Sequence, residues 1–224
     1  MSRLLVVTAV VQELAAVAGS FDAAAASSLR YPTEAFRTSA GEVVVAAGGV
    51  GLASAAAATA YLLAQQPFDA VLSMGVAGGF DGRAGVGEAV LASSSIACQL
   101  GADSPDGYLD FGELGLTDTV LAGSGDLDAL ASRLGAVFGP VLSVETVTGT
   151  DERARAYAER WDPVAEAMEG FGVWTAARAA GVPAYEVRTI SNRVGRRDRA
   201  SWEIGRALAA LSLTAKRLFE EPLL

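Results

Sequence analysis

Three side chains able to take part in proton or hydrogen-bond chemistry stand just beyond apolar, strand-like runs: Glu13, Glu169 and Asn192. The chain has no histidine, which excludes Ser-His-Asp and Cys-His nucleophilic sites, histidine-ligated zinc and imidazole acid–base work together. What remains is chemistry by carboxylates, amides and hydroxyls. A carboxylate can act as general base toward water, and a side-chain amide can donate hydrogen bonds to a group that gains electrons as it leaves. Each residue also has a plainer role open to it. A glutamate in the first turn of a helix is favoured by the helix dipole, and an asparagine after a strand commonly caps or turns the chain.

Other features narrow the class. Cys98 is the one cysteine; without histidine partners it fits inert core better than a nucleophile. A formal net charge of -9 argues against nucleic acid, whose phosphates select a basic patch, and for a small-molecule partner. The loop Gly49-Val50-Gly51-Leu52-Ala53-Ser54, with Asp69 beyond it, imitates a dinucleotide-binding fingerprint. Its glycines follow the second readable strand rather than the first, so the imitation is weak.

The elements that must position these residues alternate along the chain. Leu4 to Val7 is a continuous apolar run suited to a strand buried on both faces, and Gly41 to Ala47 is a second. An alanine-rich helix is predicted from Leu52 to Ala64, closed by Pro67, followed by a strand from Asp69 to Met74. That strand is expected to end in the turn Gly75-Val76-Ala77-Gly78-Gly79, whose glycines let backbone amides approach a ligand. A β pattern resumes over Gly85 to Ser95. Gln99 to Thr119 has no periodicity and is expected to be a long surface excursion, a lid or an oligomer contact.

Further along, a helix over Asp126 to Leu134 precedes a strand from Val141 to Val147, and a polar helix follows the turn Thr148-Gly149-Thr150-Asp151. A short strand through Met168 leads into a helix from Glu169 to Ala180, and the final strand spans Ala184 to Ser191. Ile204, Leu208, Leu211, Ala215 and Leu218 recur at helical spacing and define a C-terminal helix. The expected fold is one α/β domain over residues 1–224: a three-layer sandwich with a mixed, mostly parallel central sheet and helices on both sides. No run is apolar and bulky enough to cross a bilayer, and the N-terminus lacks the features of a signal peptide, so a cytoplasmic protein without a membrane partner is expected.

Taken jointly, the residues resemble the nucleoside phosphorylase and nucleosidase superfamily, from the first strand to the last. Ala9-Val10-Val11-Gln12-Glu13-Leu14 is similar to the segment that ends in the family's water-activating glutamate, which implies that role for Glu13. Gly49-Val50-Gly51 resembles the family's second loop. Gly75-Val76-Ala77-Gly78-Gly79 resembles its purine-pocket turn, which places Val76 and Gly78 at the base. Glu166-Ala167-Met168-Glu169-Gly170 is similar to the Glu-Met-Glu signature, implying that Met168 packs on the ribose and Glu169 grips its hydroxyls. Arg188-Thr189-Ile190-Ser191-Asn192 resembles the last-strand signature whose final residue contacts N7 of the base. Ser191 is then placed to orient Glu13 or Asn192.

The sequence departs from the methylthioadenosine nucleosidases of that superfamily, which carry Asp where Asn192 stands. Adenine offers an acceptor at N7 and a donor at its 6-amino group, whereas hypoxanthine offers acceptors at both N7 and O6. The two N–H donors of an asparagine amide suit the second pair. The resemblance therefore narrows to hydrolases of a 6-oxopurine nucleoside. Leu72-Ser73-Met74 stands where related phosphorylases place a phosphate-binding arginine, which favours water over phosphate as the nucleophile. No metal or organic cofactor is required by this chemistry, and a homo-oligomer, dimer or larger, is expected. Arg196-Arg197-Asp198-Arg199 is either a solvated face or a contact for an anionic 5′ group, and Trp202 is expected to pack. The rival activities are methylthioadenosine or S-adenosylhomocysteine hydrolysis, purine nucleoside phosphorolysis, and nucleoside binding without turnover.

Overall fold

The computed structural model describes residues 2–25 and 30–223. Strand β1 (Arg3–Thr8) is central to the sheet. Its side chains alternate, Leu4 and Val6 entering one hydrophobic layer and Leu5 and Val7 the other, the period-two pattern of a strand covered on both faces. Helix α1 (Val11–Ala18) follows after two residues. Two antiparallel strands that the sequence does not announce come next, β2 (Ala24–Ala25) at the sheet edge and β3 (Thr33–Thr38) beside it. The Gly41 to Ala47 strand is therefore β4 (Gly41–Ala47), antiparallel to β3 and parallel to β1.

Helix α2 (Leu52–Gln65) buries Ala55, Ala58, Thr59 and Leu62 against the sheet. Strand β5 (Ala70–Gly79) is longer than expected and runs straight through the glycines. Gly75 to Gly79 is thus sheet rather than turn, because β12 (Ala184–Arg193) pairs with it along its whole length. Strand β6 (Ala89–Ile96) begins four residues later than the predicted β pattern. The Gln99 to Thr119 excursion contains a hairpin, β7 (Gly101–Ser104) with β8 (Gly107–Asp110), and the short β9 (Val120–Ala122) then pairs with β6. The excursion is pinned to the body through Arg160, which binds Asp110 and Glu113 and lies over the rings of Tyr108 and Trp161.

Helix α3 (Leu127–Leu134) is capped by the Asp126 side chain at one end and by Gly135 in the left-handed region at the other. Strand β10 (Val137–Ser143) starts earlier than predicted and contains Pro140. The sequence places the strand after that proline; the sheet tolerates it because β10 shifts register beside β6 there. Helix α4 (Asp151–Trp161), β11 (Ala165–Ala167) and α5 (Gly170–Ala179) follow, and α6 (Ile204–Phe219) ends the chain. Helices α1, α3 and α6 share one hydrophobic layer, and α2 and α5 the other.

Pairings run β5 to β12, β12 to β6, β6 to β10, β10 to β11, and β11 back to β5. Five strands thereby close into a small barrel at one end of the sheet. This ring puts the C-terminal half of β5, the start of α5 and the end of β12 around one opening.

Candidate active site

Glu13 sits in the first turn of α1 but is buried, only 4% exposed, so the solvated-helix role does not apply. Its Oε2 accepts hydrogen bonds from the N–H of Ala9 (2.9 Å) and Val10 (3.2 Å), and its Oε1 accepts one from the N–H of Val76 on β5 (2.8 Å). Burial pushes its pKa above the usual glutamate value of 4.5. The Val76 N–H and the charge of Arg188 pull against that rise, and nearby Glu169 adds to it. The raised proton affinity is the direction that makes a carboxylate a stronger base.

Gly75 explains why glycine stands in the middle of β5. A Cβ there would lie 2.6 Å from Glu13 Oε1 and 2.9 Å from Arg188 Nη1, in space those groups already fill.

Glu169 stands at the N-cap position of α5 without a capping hydrogen bond from its side chain, and is also buried. Its Oε1 accepts from the N–H of Gly51 (3.2 Å), and its Oε2 accepts from Arg188 Nη1 (3.3 Å). Gly51 has φ +89°, a conformation open to glycine, which turns that amide toward the carboxylate. The loop that imitates a dinucleotide fingerprint is thus engaged by the protein's own glutamate.

Arg188 is the residue whose part the sequence leaves unread. It is 1% exposed and donates to Glu186 from Nε (2.9 Å), to Glu169 from Nη1 and to the Ser73 hydroxyl from Nη2 (2.7 Å). Burial works against its charge, but Glu186, Glu169 and Glu13 together hold its pKa above the ordinary arginine value. Glu186 in turn faces the first residue of α5, where a Cβ on Gly170 would lie 2.0 Å from Glu186 Oε2. A buried cation shared by three carboxylates fixes the geometry of two of them without leaving an arginine for an incoming dianion.

At the end of β12, the Ser191 hydroxyl lies 2.7 Å from Asn192 Oδ1 and 3.1 Å from the carbonyl of Ala77. Asn192 Nδ2 donates to the carbonyl of Arg193 (3.0 Å). The single Ser191 O–H proton is shared between Asn192 Oδ1 and the Ala77 carbonyl, the amide oxygen being the nearer, and the amide nitrogen is a donor with one N–H engaged. Of the two residues that the sequence pairs with Ser191, the hydroxyl lies against Asn192, while among the described residues the hydrogen bonds to Glu13 come from backbone amides.

All seven residues singled out in the sequence (Glu13, Val76, Gly78, Met168, Glu169, Ser191 and Asn192) line one cavity of about 240 Å³. Trp202, expected to pack, lines it too, held near by the N–H of Glu203 on the carbonyl of Ser191 (2.8 Å). Exposed apolar side chains of Val10, Val50, Val147 and Ile204 form its rim. Arg196, Arg197 and Arg199 are exposed and outside the lining, a solvated run. Cys98 is buried, its thiol pushed up to about 12 by burial. Among the described residues no group of three metal-ligating side chains is assembled, and no helix is long and apolar enough to cross a membrane.

The model of the Phosphorylase superfamily matches residues 3–221. A futalosine hydrolase of Streptomyces coelicolor is 47% identical, over 94% of this chain and 92% of its own, and one of Acidothermus cellulolyticus is 42% identical over 93% and 87%. The chain belongs to the futalosine hydrolase family. Within the wider phosphorylase superfamily this makes it an N-glycosyl hydrolase, and the narrowing reached from Asn192 agrees with it. The S-adenosylhomocysteine nucleosidase of Streptococcus pyogenes shares the fold of this futalosine hydrolase family member, with a TM-score of 0.86 at 17% identity over 98% of this chain and 96% of its own.

Proposed function

We propose that this chain hydrolyses the N-ribosidic bond of futalosine, releasing hypoxanthine and dehypoxanthinyl futalosine in menaquinone biosynthesis. The observation that carries it is the convergence of Glu13, Glu169 and Asn192 on one cavity. A general base, a sugar grip and an amide donor there suit the water, ribose and oxopurine of one nucleoside.

As the C1′–N9 bond breaks, its electrons pass to the purine and C1′ becomes cationic. Asn192 Nδ2 stabilises the charge gathering on N7 and O6, exchanging the Arg193 carbonyl for the base when both acceptors are engaged. Water adds to C1′ from the opposite face and gives its proton to Glu13; the purine takes its own proton from solvent. Glu169 accepts hydrogen bonds from the 2′ and 3′ hydroxyls, and Met168 packs on the ribose. Water rather than phosphate is favoured because the neighbouring cation, Arg188, is already bound by Glu186 and Glu169, and the surrounding carboxylates repel a dianion.

The reading is tested by offering purified protein futalosine, its 6-amino analogue and methylthioadenosine, with and without phosphate, and following free base. Hypoxanthine released from futalosine at a rate indifferent to phosphate is expected. Turnover of methylthioadenosine in preference, or a requirement for phosphate, would refute it. The proposal includes a homo-oligomer, dimer or larger, supported by the exposed Leu114, Leu116 and Val120.

A further inference from the structure

One buried carboxylate in the cavity has no part in the chemistry above. Glu166, in β11, is 6% exposed and lines the same space as Glu13 and Asn192. It accepts hydrogen bonds from the Thr148 backbone N–H (2.8 Å) and from the Thr148 hydroxyl. Arg153 acts on it from beyond ion-pair distance. To tether Thr148, a neutral amide acceptor would serve. A carboxylate in that position costs desolvation that a distant arginine offsets poorly. Thr148 fills two of the roughly four lone-pair sites of the carboxylate, leaving acceptors toward the cavity and no donor when it is ionised.

The sheet register places this group relative to the base. Glu166 and Asn192 both lie opposite Gly78, one on each neighbouring strand. Residues directly opposite one another project from the same face of a sheet, with backbones here two strand spacings, about 10 Å, apart. Between them Gly78 has no side chain of its own; a Cβ there would meet Val194 Cγ2 at 2.8 Å and Asn192 Nδ2 at 3.3 Å, so a base beside it rests on the valine with the amide at its edge. A flat base over Gly78 therefore has an amide at one end and a carboxylate at the other. At and beyond the end of β11, Ala167, Met168 and Glu169 line the same cavity, so the chain passes from Glu166 to the proposed sugar contacts along it.

Around a 6-oxopurine the order is N7, O6, then N1, two acceptors followed by an N–H donor. We infer that Glu166 accepts the N1–H of the departing 6-oxopurine and so is a specificity-determining residue of this site. A 6-aminopurine presents a lone pair at N1, which would face the carboxylate with no proton between them. Burial raises the pKa of Glu166, against the pull of Thr148 and Arg153. Pairing with N1–H favours the ionised form, so bound oxopurine draws that pKa back down.

Because the inference rests on the oxopurine chemistry proposed above, wild-type release of hypoxanthine from futalosine is measured on the same preparation. Competitive inhibition by hypoxanthine is then compared with inhibition by 1-methylhypoxanthine, which keeps N7 and O6 but has no N1–H. The methylated base is expected to inhibit at least about tenfold more weakly. In Glu166→Gln, whose amide can still serve Thr148 and can donate to a bare N1, kcat/KM should fall on futalosine. Its ratio of 6-amino to 6-oxo turnover should rise by about tenfold or more. With futalosine turnover intact, equal inhibition by the two bases overturns the inference alone, as does an equal loss on both nucleosides in the variant. Absence of hypoxanthine release by the wild type overturns both the inference and the proposed function.

Discussion

Glu13 is legible in the sequence because it follows an apolar strand in a segment with a known likeness, but its burial and its three backbone donors come from Ala9, Val10 and, distantly, Val76. Glu13→Gln should lower kcat by at least about 10²-fold while nucleoside binding survives, measured by steady-state kinetics beside calorimetric titration. Since the base must be ionised and burial raises its pKa, kcat/KM should fall as pH drops through a midpoint above 4.5; a midpoint at or below that value would exclude Glu13 as the base. Asn192→Asp should shift preference from futalosine to its 6-amino analogue, and loss shared equally by both would contradict the pairing of amide with oxopurine. Arg188 was legible as part of a motif but not as a hub, because its three partners, Ser73, Glu169 and Glu186, are brought to it only by strand and helix packing.

Among the elements, the long apolar strands and the amphipathic C-terminal helix could be read because their periodicity is set by burial on the sheet. The short strands β2, β3 and β9 could not, since an alanine pair, a largely polar six-residue run and a three-residue run are too short or too polar to show a pattern and gain their pairing from neighbours. Strand β5 was cut short in the sequence at Gly75, where glycine signals a turn. Its glycines instead make room, Gly75 for Glu13 and Arg188, and Gly78 beside Asn192. Gly75→Ala should therefore displace the Glu13 carboxylate and cost roughly 10²-fold in kcat. A melting temperature near that of the wild type alongside that loss would place the effect in the site, whereas unchanged kcat would show that the contact is slack.

For the whole molecule, closure of β5, β12, β6, β10 and β11 into one ring makes the Arg188 cluster part of both core and site. Arg188→Met would leave Glu169 and Glu186 without their cation and should destabilise the fold by about 3–5 kcal/mol, read from denaturant midpoints. Glu13 and Glu166 have folded-state pKa values above 4.5, so their contribution to stability is full below 4.5 and is lost as pH rises through the raised values. Asp110, lowered from 3.8, acts in the opposite sense and only in stronger acid. The melting temperature should thus decline from mildly acidic toward neutral pH, less steeply in Glu13→Gln than in wild type. The chemistry itself is tested most directly by turning over futalosine in ¹⁸O-labelled water without phosphate. Free hypoxanthine without label, and one ¹⁸O at C1′ of the sugar product, are predicted. No cleavage, or a sugar product lacking the label, would contradict a water-activating Glu13 and an oxopurine-holding Asn192 in one cavity.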